Sequence, residues 1–159
     1  MKNIKKVLIA LDYDQSAKQV AEQGFSMAKA MGAEVILLHV ITDMVYYAST
    51  EYSPIVGFTG FMDQSLMQLD TKEGLEKATL QFLEKFKKHL GDEDIQTVVK
   101  NGDFSKTILQ TAKDLHADVI AIGTHSRKWL EDVVMGSVTQ EVLHHTTIPL
   151  FIIPTRKKD

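Results

Sequence analysis

Five short apolar runs recur along the chain, at residues 7–11, 34–41, 95–99, 118–122 and 148–153, the third weaker than the rest. The first reads Val7-Leu8-Ile9-Ala10-Leu11, with no polar position interleaved. Runs that are continuous rather than alternating predict strands buried on both faces, as in a parallel sheet. Between them the apolar spacing becomes helical. Ala17, Ala21, Phe25, Ala28 and Met31 share one face, and Gly32 follows as a stop. Leu75, Ala78, Phe82, Phe86 and Leu90 repeat that spacing, closed by Gly91. Ile108, Ala112 and Leu115 do so again, with Asp103 or Ser105 as cap. A last helix runs through residues 138–143, just after Gly136-Ser137. This alternation predicts an α/β fold: a doubly wound, five-stranded parallel sheet with helices on both faces. Right-handed crossovers gather the strand carboxyl ends and helix starts at one edge, where such folds bind ligands.

Residues 42–64 break the rhythm. They show no period, contain Pro54, Gly57 and Gly60, and are rich in aromatics (Tyr46, Tyr47, Tyr52, Phe58, Phe61). A stretch of this kind is a functional or mobile loop, or else a short extra helix or packing flap. No repeat, low-complexity segment or linker is visible, so residues 1–159 are expected to form a single domain.

Composition narrows the classes. The net charge of −3 is too mild to argue for nucleic acid. Basic residues cluster at the start (Lys2, Lys5, Lys6) and the end (Arg156, Lys157, Lys158), where they read as solvated termini. With no cysteine, disulfides, thiolate metal sites and cysteine nucleophiles are excluded. The apolar run after the first lysines is too short for a leader, and none approaches a membrane span. A cytoplasmic protein with no membrane partner is expected.

The richest stretch lies between the fourth strand and the last helix. The strand breaks at Gly123, crosses a polar loop containing Arg127, Lys128 and Trp129, and re-enters order at Gly136-Ser137. A strand, a glycine-bounded loop and a helix start together form an anion site, because free N–H groups and the positive dipole end face the loop. Ser137-Val138-Thr139-Gln140 also fits a capping box, with Ser137 as N-cap and Gln140 at N3. Arg127 and Lys128 are placed either to touch a polyphosphate or to be solvated; Trp129 reads as a packing anchor. Asp12, at the end of the first strand, suits an amine or hydroxyl of a ligand, or simply the start of the next helix.

Other chemistries find little support. The six histidines, His39, His89, His116, His125, His144 and His145, lack zinc-type spacing, and no metal site is expected. His144-His145 suit a helix end, capping carbonyls or facing outward. There is no nucleophile elbow, P-loop or dinucleotide fingerprint. A phosphoacceptor receiver would need an aspartate in the third strand, which instead reads Thr97-Val98-Val99-Lys100-Asn101.

The spacing Gly123, two residues, Ser126, nine residues, Gly136-Ser137 resembles the nucleotide loop of the universal stress protein family. That loop runs glycine, two residues, glycine, nine residues, glycine and then serine or threonine. Ser126 stands where the family's middle glycine would be. If that position needs a left-handed backbone, Ser126 carries a cost of about 1–2 kcal/mol. The likeness extends over nearly the whole chain, through Asp12, His39-Val40, Asn101-Gly102-Asp103 and Thr147-Ile148-Pro149.

The resemblance implies strand order 3-2-1-4-5 and a homodimer paired through the last strand, Leu150 to Ile153. An apolar edge there would otherwise invite aggregation. It further implies a regulatory module that binds ATP, with or without Mg²⁺, and has no catalytic residues. Asp12 would meet the adenine and ribose, and Val40 the base. Gly123, Ser126, Arg127, Gly136, Ser137 and Val138 would hold ribose and phosphates. The alternative is a nucleotide-independent dimeric interaction protein whose cleft is filled by Ser126, Trp129 and the aromatic stretch.

Overall fold

Each apolar run becomes a strand because its side chains alternate between two helical layers. The computed structural model describes residues 2–12, 16–42, 72–124 and 136–155. Along these the elements are β1 (Lys6–Ala10), α1 (Ala17–Ala30), β2 (Glu34–Ile41), α2 (Lys72–Leu90), β3 (Gln96–Asn101), α3 (Phe104–Asp114), β4 (Val119–Gly123), α4 (Ser137–His145) and β5 (Leu150–Ile153). The strands form one five-stranded sheet in the order β3-β2-β1-β4-β5, with every neighbouring pair parallel. The expected fold class and strand order are therefore observed. β2 coincides with its apolar run, and the other strand bounds differ from theirs by at most two residues. Proline at 149 leaves the last strand shorter than its run, because it has no N–H for the ladder.

On one face Val7, Ile9, Val35 and Leu37 pack under Val20 and Ala21 of α1 and Leu75, Phe82 and Phe86 of α2. On the other, Leu8, Ile36, Leu38 and Ile120 meet Ile108 and Ala112 of α3 and Val142 of α4. Consecutive strand residues thus feed opposite cores. Phe82 and Phe86 meet edge to face, with ring centroids 4.9 Å apart. Such a contact adds about 0.5–1.5 kcal/mol beyond area burial. Gly24 lets α1 settle close to β1, since a Cβ there would lie 2.9 Å from Cδ1 of Ile9. Met31 departs from its expected face and is 46% exposed. The helix has ended at Ala30, and Met31 is the cap residue where the chain turns away.

The helix punctuation follows the sequence. Gly32 and Gly91 take left-handed φ values of 67° and 72°, which ends α1 and α2 at no steric cost. Asp103 caps α3 by accepting a hydrogen bond from the Lys106 amide. At the last helix end His145 faces solvent and its Nδ1 lies 2.9 Å from the Glu141 carbonyl oxygen. Among the described residues, no helix is long and apolar enough to cross a membrane.

Candidate functional site

The chain leaves β3 for β4 by crossing from one side of β1 to the other, so strand order reverses between β1 and β4. Their carboxyl ends therefore flank the crevice where a doubly wound sheet binds ligands. Asp12 emerges there, half-buried, just past β1. The Leu11 amide donates to the Leu38 carbonyl at 2.8 Å, so the β1–β2 ladder continues to the residue before Asp12. Val40 is buried on β2. Beside it lies His39, also buried, with Nδ1 2.7 Å from the Leu11 carbonyl oxygen. A carbonyl only accepts, so Nδ1 carries the proton. Burial pushes the His39 pKa below the ordinary imidazole value; the Asp12 carboxylate and the Leu11 carbonyl pull it back in part. The ring is therefore neutral at pH 7.

Across the crevice, Gly123 ends β4 and Gly136 precedes α4. The Gly136 amide donates to the Thr124 carbonyl at 2.7 Å, so the chain leaves and returns through one hydrogen-bonded neck. Threonines brace that neck. The Thr124 amide reaches the Ile153 carbonyl at 2.9 Å. The Thr155 amide donates to Oγ1 of Thr124 at 3.0 Å. The Thr139 hydroxyl, from the first turn of α4, donates to the Gly123 carbonyl at 2.8 Å.

This neck corrects the expected capping box. Gly136, extended at φ −66° and ψ 159°, is the N-cap residue and brings no side-chain cap, while Ser137 is the first helical residue. The bond from Gly136 to Thr124 fixes the helix entry one residue earlier than local spacing suggests. Ser137 is exposed and released from capping, whereas Val138 packs its side chain against the second core. The helix start offers backbone N–H groups and a dipole end, with no acidic residue in its first turn.

The strand order thus sets Asp12, just past β1, beside the end of β4 at Gly123, from which the neck leads to Gly136 and Ser137, while Val40 on β2 is buried in the second core. Ser126 and Arg127 lie outside the described residues, as do His125, Lys128, Trp129 and all of the 42–64 stretch except Thr42. No group of three or more potential metal-ligating side chains occurs among the described residues. Sequence reasoning missed the bracing roles of His39, Thr124, Thr139 and Thr155. A signal existed for His39, because a histidine inside an apolar strand must find a buried partner.

A model of the Universal stress protein family matches residues 3–154. A universal stress protein of Methanocaldococcus jannaschii is 26% identical over 153 residues, covering 94% of each chain. One from Synechocystis is 27% identical over 154 residues, covering 93% of this chain and 96% of its own. The solved structure of the Methanocaldococcus protein superposes with a TM-score of 0.74 at 23% identity, covering 99% of this chain and 100% of that one. A universal stress protein from Archaeoglobus fulgidus, solved in complex with dAMP, has a TM-score of 0.59 at 14% identity, with 95% and 98% covered.

Proposed function

The chain belongs to the universal stress protein family, and from that premise we propose that it is a regulatory module binding an adenine nucleotide, ATP above all, between β1 and β4. One observation carries the reading: an uncapped, acid-free helix start at Gly136-Ser137 faces the same strand-order reversal as Asp12. Asp12 and Val40 take the adenine and ribose. Gly123, Gly136, Ser137 and the Val138 amide take ribose and phosphates, joined by Ser126 and Arg127. Mg²⁺ accompanies the phosphates without a dedicated protein site. The dAMP bound by the Archaeoglobus relative supports the ligand class. The module spans residues 1–159, acts in the cytoplasm, and pairs with a second copy through Leu150 to Ile153. We assign no catalytic residue, since among the described residues no side chain is placed as a base for an attacking water, and binding rather than turnover is the proposed output.

Calorimetry with ATP and AMP, with and without Mg²⁺, tests the reading. Saturable micromolar ATP binding, weakened by Asp12→Ala, is expected. No binding at millimolar ATP overturns it and moves the protein to a nucleotide-independent role.

A further inference from the structure

We propose that His39 is a positioning residue for this site: its ring N–H holds the Leu11 carbonyl and thereby sets the direction in which Asp12 leaves β1. The proposal rests on the nucleotide-binding reading of Asp12. It starts from a misfit in the sequence. Every other position from Val35 to Ile41 is apolar, yet His39 sits among them and is buried as completely as they are. A leucine would fill such a place without a polar group to satisfy.

The histidine's partner explains its presence. The oxygen it holds belongs to the peptide that joins Leu11 to Asp12. That unit is planar, so fixing its oxygen also fixes the Asp12 amide and Cα. The other side of Leu11 is held by β2 as well, through its amide and the Leu38 carbonyl. Two consecutive residues of β2 therefore grip Leu11, the residue just past β1 and immediately before Asp12.

Electrostatics favour the same role. His39 and Asp12 are close enough for the carboxylate to act on the imidazole. Burial nevertheless keeps the ring neutral. A neutral ring can orient the Asp12 backbone through the Leu11 carbonyl without forming an ion pair of its own.

Three substitutions separate positioning from bulk. His39→Asn carries an amide nitrogen near the place of Nδ1 and keeps a donor for Leu11. His39→Gln carries its amide farther out, and His39→Leu keeps volume without a donor. In the unliganded protein, the Asp12 amide resonance is expected to stay in place in His39→Asn and to move in the other two. ATP affinity is expected to stay within about threefold of wild type in His39→Asn and to fall about tenfold or more in His39→Gln and His39→Leu. Adding His39→Leu to Asp12→Ala should cause no further loss, since both act through one carboxylate. Thr79→Val is the control. It removes a buried hydroxyl bonded within α2, to the Leu75 carbonyl, and should leave ATP affinity unchanged.

Wild-type affinity in a folded His39→Leu or His39→Gln protein, with Asp12→Ala impaired, overturns the role of His39 and spares the nucleotide reading. Should His39→Leu fail to fold, the contrast between asparagine and glutamine decides. A wild-type protein that binds no ATP overturns the nucleotide reading, and with it the purpose assigned to His39. The Asp12 resonance still shows whether the ring sets the strand exit.

Discussion

The two ends of the sheet are built from opposite chemistry. At the amino-terminal end charged side chains pair with one another and with backbone. Asp118 accepts from the amides of Lys5 and Lys6 at 2.9 and 3.1 Å and pairs with the Lys2 ammonium at 2.9 Å. The Lys6 ammonium donates to the Leu115 carbonyl, and Lys29 pairs with Asp92. At the carboxyl-terminal end, between β1 and β4, the fixed groups are a neutral imidazole, threonine hydroxyls and backbone amides. Helix direction explains the contrast. All four described helices carry basic residues in their last turn, toward the amino-terminal end of the sheet. Three of them begin with no acidic residue in the first turn, toward the carboxyl-terminal end. Basic groups thus meet the negative dipole ends, while at the positive ends α3 is capped by the Asp103 carboxylate and α4 has neither a side-chain cap nor an acidic first turn.

The sharpest way to break this comparison is to supply the missing charge. Ser137→Glu puts a carboxylate in the first turn of α4, where a phosphate is proposed to lie. Helix stability should rise by about 0.3–1 kcal/mol through the dipole. ATP affinity should fall at least about tenfold by like-charge repulsion. Opposite signs in a melting curve and a binding isotherm are the expected result. Unchanged affinity would remove the phosphates from α4.

A second effect falls on the neck. Thr139→Val keeps shape but leaves the Gly123 carbonyl without its hydroxyl donor. Urea unfolding should show a loss of about 1–2 kcal/mol. If the loss is absent, the neck is held without Thr139, by the bonds of Thr124 to Gly136, Ile153 and Thr155.

What the sequence disclosed, and what it hid, divides along the range of each interaction. Gly32, Gly91 and the Asp103 cap were legible because each acts within a few residues of itself. β1, β2 and β4 were legible because both of their faces are covered, which leaves continuous apolar runs, whereas the edge strand β3 is polar at four of its six positions and gave the weakest run. Ser137 was misread as the cap because a hydrogen bond between Gly136 and Thr124, absent from any local pattern, fixes the start of α4. His39 and Leu11 lie 28 residues apart, and Thr139 and Gly123 lie 16 apart. Only strand order brings such pairs together, so spacing alone singled out Gly123 and Gly136 and not what braces them.

The smallest predicted effect separates the two ends by pH. The Lys2 ammonium, helped by the Lys5 amide, holds the Asp118 carboxyl below the usual carboxylate range. A carboxyl whose folded pKa lies below its unfolded value contributes stability that is complete above the unfolded value. That contribution fades as pH falls through the folded one. The advantage of wild type over Asp118→Asn should therefore be constant above about pH 4 and shrink below it. Added salt should reduce it, because the Lys2 side chain is exposed. His39 acts in a different window. Its folded pKa is also lowered, but protonation there creates a buried charge instead of removing a paired one. Stability is then independent of His39 above about pH 6.5 and declines as pH falls below that value toward the folded pKa. His39→Asn should abolish the decline near pH 6 and leave the one below pH 4 intact. Asp118→Asn should do the reverse. If either substitution alters both windows, the two ends of the sheet are coupled through β1 and do not titrate as separate units.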